Sequence, residues 1–236
     1  MQLKRFFINP FSKFRIGISK FRTFCENHIA NLTANNGGGL FTAMIAETSN
    51  LYTSLFGAYQ DEDIARAAQK SLTAAKDIIF VEFKDKVSQK EGTIRGQFCE
   101  GTPEYLLFFP NGLSEYSNAT MANVALLMSR MRETSQLFIA ELGQPFADIW
   151  SDIDTRYTAA RTAQLNQKGT VQTAITNEDA ARSSMDVKLF SNLLKIADIY
   201  PDQPERCNDF FDETMLPGDG GEDEPGNGGG TPPVNP

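Results

Sequence analysis

Few residues in this chain are suited to chemistry. His28 is the only histidine in 236 residues. A metal centre built on several imidazoles therefore has no ligand set, and a Ser-His-Asp or Cys-His relay would have to run through His28 itself. That residue lies between Asn27 and Ile29 in a helical stretch, and we expect it at the surface or the boundary of the core. Carboxylates are plentiful. A carboxylate-bridged metal pair in a helical bundle draws on Glu-x-x-His twice, and no Glu-x-x-His occurs here. Glu47, Glu82, Glu115, Glu133 and Glu141 are accordingly expected on the solvated surface. Gly37, Gly38 and Gly39 precede a helix and could offer backbone N–H groups to a phosphate. No Lys-Ser/Thr follows them and no strand precedes them, so they read as a helix–helix linker. The acids between Asp219 and Glu224 lack the spacing of a calcium loop. Arg95, Glu115, Tyr116 and Arg130 flank the least regular stretch, 92–117, where a loop-borne site would lie. No catalytic residue, cofactor, metal ligand or small-molecule substrate is assigned, and the chain is read as a non-enzyme.

The ends of the chain carry the clearest chemical bias. Residues 1–25 contain Lys4, Arg5, Lys13, Arg15, Lys20 and Arg22 and no acid, whereas residues 201–236 hold nine acids against Arg206. Basic head and acidic tail can attract each other, within one molecule or between neighbours. Phe6, Phe7, Phe11, Phe14, Phe21 and Phe24 interleave with the cations of the head. Such a pattern can stack on bases and pair with phosphates, lie on an anionic surface, or dock its rings on the body of the protein. The net charge of −8 and pI near 4.8 argue against nucleic acid. Docking is the preferred reading.

These residues must be positioned by helices, because no segment sustains the period-two alternation of a strand. Ile18, Phe21, Cys25, Ile29 and Leu32 recur at helical steps, and Asn35 to Gly39 end that helix. A second helix carries Phe41, Met44, Ile45, Thr48, Leu51, Tyr52 and Leu55 and is expected to stop near Gly57. A third begins at Asp61-Glu62-Asp63 and buries Ile64, Ala68, Leu72, Ile79, Phe83 and Val87. Thr102-Pro103-Glu104 opens a short helix. Met121, Val124, Met128, Met131, Ser135, Phe138 and Leu142 then follow a 3-4 rhythm, a heptad seam that Gly143 and Pro145 should kink or break. The stripe resumes through Phe146, Ile149, Ile153 and Tyr157. Gly169 is expected to end this helix and Thr176-Asn177-Glu178-Asp179 to cap another, with Met185, Leu189, Leu193 and Ile196 inside.

The expected fold is all-α: an elongated antiparallel bundle of about four to six helices. Residues 1–16 form a basic, aromatic-rich leader and 17–216 a single helical domain. Residues 217–236, almost devoid of apolar side chains, form a disordered acidic Gly/Pro tail. No run of 18 apolar residues marks a transmembrane helix, and the Phe-Phe-Ile run is too brief for a signal-peptide core. Cys25, Cys99 and Cys207 are odd in number and widely spaced, which suits a reducing, cytoplasmic setting. The function expected is that of a non-catalytic structural or adaptor protein with a protein partner or with itself. The candidate contact residues are Lys4, Arg5, Phe6, Phe7, Phe11, Lys13, Phe14 and Arg15 of the leader and Met128, Met131 and Phe138 of the seam.

Overall fold

The computed structural model describes residues 4, 7–13 and 16–215. The tail from 216 onward, Arg5, Phe6, Phe14, Arg15 and the Lys13 side chain lie outside the described residues. Among the described residues there is no strand. Seven α-helices run in the order α1 (Ile18–Ala34), α2 (Thr42–Phe98), α3 (Pro103–Phe108), α4 (Ser114–Ser117), α5 (Val124–Leu137), α6 (Ile139–Leu142) and α7 (Gln144–Ile199). Short 3-10 turns at Phe11–Lys13, Gly37–Gly39, Pro204–Asp209 and Glu213–Met215 fill the gaps. The chain is all-α, as its periodicity implies.

Two expected breaks do not occur. Gly57 and Gly169 are interior, exposed residues of α2 and α7, which run for 57 and 56 residues. An exposed glycine in a helix costs only about 1 kcal/mol relative to alanine. Flanking turns that bury apolar side chains offset that cost, so each helix continues. The expected cap at Thr176 to Asp179 is likewise mid-helix. The break expected around Gly143 and Pro145 does occur, at Gly143, and Pro145 sits in the first turn of α7. Phe138 leaves helical geometry at φ −110°, and Gly143, at φ +83°, takes the left-handed conformation that separates α6 from α7. α3 starts as its sequence indicates: Thr102 Oγ1 accepts the Tyr105 amide at 3.3 Å, with Pro103 in the first turn.

The contacts of the chain group into two compact units, one of residues 1–62 with 174–236 and one of residues 63–173. The first unit has an aromatic core. Phe11, Phe21, Phe24, Phe41, Phe210 and Phe211 are buried there with Cys25, Leu32, Leu55, Met185, Leu189 and Ile196. The second packs Phe83, Phe108, Phe109, Tyr116, Trp150 and Tyr157 around Val87, Ile94, Val124 and Ile153. Trp150 meets the edges of Phe83 and Phe146 at centroid distances of 6.2 and 5.9 Å, an arrangement that adds to the area these rings remove from water.

Within the second unit α2 and α7 are antiparallel neighbours. Arg156 grips both carboxylate oxygens of Glu82 at 2.9 and 2.7 Å. Gln164 donates to Thr73 Oγ1 at 3.0 Å, and Gln167 to the Ala65 carbonyl at 3.0 Å. As one residue number rises the other falls. The stripe of α2 that faces inward is not quite the expected one. Ala65, Ile79, Phe83 and Val87 are buried and Leu72 is half-buried, but Ile64 points to solvent.

The continuity of α2 is testable at Gly57, where a built Cβ meets nothing within 4 Å. Gly57→Ala should raise stability by about 0.5–1 kcal/mol in denaturant unfolding. A loss of stability would mean that the helix ends there after all.

Candidate functional site

The expected contact residues separate in the structure. Lys4 and Phe7 are exposed, but Phe11 is buried. Its ring lies 6.0 Å from that of Phe24 and 5.7 Å from that of Phe211. Asn9 holds the same segment in place. Its Nδ2 donates to the Asp186 carbonyl at 3.0 Å and its Oδ1 accepts the Phe11 amide at 2.9 Å. This part of the leader is docked on its own unit. The seam is also internal. Met128 and Met131 are each 1% exposed within the core of the second unit, and Phe138 packs against that core beside Phe98 and Phe108. Met128 and Met131 are thus core side chains, and Phe138 is half-buried against them.

The loop-borne cluster assembles in part. Arg130 pairs with Glu115 at 2.7 Å, and the Tyr116 hydroxyl donates to the Phe108 carbonyl at 2.7 Å. Burial pushes the Tyr116 phenol up to about 12. Arg95 stays apart, 3.6 Å from Glu91 on its own helix. The three residues that meet fasten the 103–117 segment to α5.

His28 departs furthest from expectation, because it is fully buried in the first unit. Its Nδ1 lies 2.9 Å from the Phe210 carbonyl, which can only accept, so Nδ1 carries the proton. Nε2 then accepts from Asn192 Nδ2 at 3.0 Å. The second Asn192 amide hydrogen goes to Thr48 Oγ1 at 2.8 Å, and Thr48 donates to the Met44 carbonyl at 2.7 Å. The imidazole also stacks on Phe211, with centroids 4.2 Å apart. Desolvation lowers its pKa to about 4. The ring is neutral and hydrogen-bonded on both nitrogens, and it acts as a cross-brace between α1, α2, α7 and the segment after α7. The signal that points to this burial is its position in α1, on the same helix face as the buried Phe21, Phe24, Cys25 and Leu32.

The surface features that remain are apolar helix faces. On α7, Val187 and Leu194 are exposed and Phe190 and Ser191 half-exposed. With Lys195 and Asp198 they line an open groove of about 390 Å³. A second open groove, also about 390 Å³, lies between the end of α7 and the following 3-10 turn. Leu193, Ala197, Tyr200, Pro204 and Cys207 contribute to its walls. Both belong to the first unit. Sequence spacing identified the inward row of this helix, Met185, Leu189 and Ile196, and passed over the outward one. Among the described residues no group of three or more His, Cys, Asp or Glu side chains is placed to hold a metal ion. No helix among them is long and apolar enough to cross a membrane.

No protein-family model, curated protein or solved structure matches this chain.

The buried histidine has a consequence for stability. Unfolded, it titrates near 6.5; folded, near 4. Between those values the unfolded chain takes up the proton and the folded chain does not, so stability is full near neutrality and falls as pH drops through that window. At about 1.4 kcal/mol per pH unit, on the order of 3 kcal/mol is lost by pH 4. The carbon-bound ring protons of this single histidine should hold a constant NMR shift from pH 7 to pH 5. A titration midpoint near 6.5 would contradict the buried, neutral ring.

Proposed function

We propose that this chain is a non-catalytic structural or adaptor protein that works through helix–helix and terminal-segment contacts with protein partners. The observation that supports this reading most directly is the outward face of α7. Val187, Phe190, Ser191 and Leu194 repeat at three- and four-residue steps, the spacing with which an amphipathic helix of a partner is received. Lys195 and Asp198 at the margin offer one charge of each sign to fix its orientation. An apolar strip rimmed by polar groups is the usual form of a protein contact surface. The buried polar groups His28, Asn192 and Thr48 are hydrogen-bonded in one chain, and Lys188 pairs with Glu47, so these groups are engaged within the unit. The exposed thiol of Cys99 suits a reducing, cytoplasmic setting.

A photo-crosslinking residue at Leu194 tests the reading in the intact protein. Crosslinks to a discrete protein, lost in Val187→Asp, are expected. A particle that stays strictly monomeric at high concentration in light scattering and yields no crosslinked product would overturn it.

A further inference from the structure

α2 carries a second row of side chains that its own unit leaves uncovered. Ile64, Ala67, Ser71, Ala74, Ile78 and Val81 follow a 3-4-3-4-3 rhythm along one continuous helix, and all are exposed. The three large members are 58%, 67% and 55% exposed. At about 100° per residue this row lies roughly 135° around the helix from the inward one, Ala65, Leu72, Ile79 and Phe83. The stretch is thinly buried on the inner side as well. Between Leu55 and Ile79 only Ala65 and Lys76 of α2 are fully buried. A helix with so little cover gains most of its stability from whatever it packs against.

We propose that this outer row pairs with the same row of a second copy of the chain, as a short antiparallel coiled coil. The inference deepens the reading above, in which helix faces carry association. The row itself bears no charge from Ile64 to Val81, as the a and d positions of a seam require. Its flank on one side is Asp63, Lys70, Asp77 and Lys84, whose signs alternate at seven-residue intervals. In an antiparallel pair with Ser71 opposite the partner's Ala74, Asp63 faces the partner's Lys84 and Lys70 faces the partner's Asp77. Both contacts occur twice by symmetry, and all are attractive. A parallel pair would set Asp63 and Lys70 against the partner's Ala68 and the partner's Ala75 and Asp77 against the partner's Glu82, with no attractive contact. Asp63 and Lys70 are exposed, and the Asp77 side chain remains 48% exposed although Lys76 Nζ lies 3.1 Å away. Lys84 is half-exposed, with its ammonium 5.4 Å from the centre of the Phe80 ring. On the other flank Ala68 and Ala75 are small, and Glu82 is already held by Arg156. The small side chains at the centre allow the helix axes to approach to about 8 Å.

Two measurements on the full chain test this. Sedimentation velocity should give the mass of two copies at high concentration. Lys70→Asp should weaken that dimer by about tenfold or more, the effect of 1.4 kcal/mol, and adding Asp77→Lys should restore it. These side chains lie on the surface, so circular dichroism should show all variants folded. Orientation is read in a Cys99→Ser, Cys207→Ser background, which leaves only the buried Cys25. Ser71→Cys and Ala74→Cys proteins should form a disulfide when mixed and oxidised, and neither should do so alone. A single-copy mass, a dimer indifferent to Lys70→Asp, or self-crosslinking of either cysteine variant would overturn the inference. Crosslinks from Leu194 report on α7 in the first unit, a different surface from this row, so either reading can fail while the other stands.

Discussion

A helix of more than fifty residues persists in water only where each stretch of it buries an apolar face, and that constraint organises this protein. α2 meets it first with Phe41, at its threshold, and then with Met44, Thr48 and Leu55 in the first unit. It meets it again with Ile79, Phe83, Val87 and Ile94 in the second. α7 does the same with Phe146, Trp150, Ile153 and Tyr157, and later with Met185, Leu189 and Ile196. Glycines inside these helices are tolerated because tertiary burial on either side outweighs their local cost.

In the first unit the apolar faces are joined by a polar brace. His28 receives contacts from α7 through Asn192 and from the following segment through the Phe210 carbonyl, while Asn192 reaches Thr48 on α2. Buried hydrogen bonds of this kind add little net stability when made, but a broken one leaves a desolvated group without a partner. They therefore select one packing of the four segments over near alternatives. Asn192 Oδ1 is the one member of the network with no partner of its own. Around the brace, Phe11 arrives from the leader and Phe210 and Phe211 from the other end of the chain, so both ends enter one aromatic core.

The functional reading rests on the same physics from outside. The buried rows of each unit are covered by that unit's own side chains, whereas outward apolar rows on α2 and α7 recur at helical spacing with no cover from their own units. By composition alone the leader and the methionine-containing seam resemble contact surfaces. Phe11, Met128 and Met131 are nevertheless spent on the cores, and the exposed rows are built from less conspicuous residues such as Ala67, Ser71 and Val187.

The helical fold class was legible in the sequence, because three-and-four spacing is a local property and survives any arrangement of the chain. The same holds for the start of α3 at Thr102-Pro103 and the break at Gly143, where capping and backbone geometry act within a few residues. Which row of an amphiphilic helix turns inward was not legible. α2 between 63 and 84 offers two rows on nearly opposite faces, and Ile64 reads as core when judged by its neighbours alone. Only contact with α7, through Thr73–Gln164 and Glu82–Arg156, decides that Ala65 faces in and Ile64 faces out. The burial of His28 was likewise a tertiary decision. The sequence by itself determined where helices form; the packing of distant segments determined whether their glycines break them, which face they bury and which side chains remain exposed.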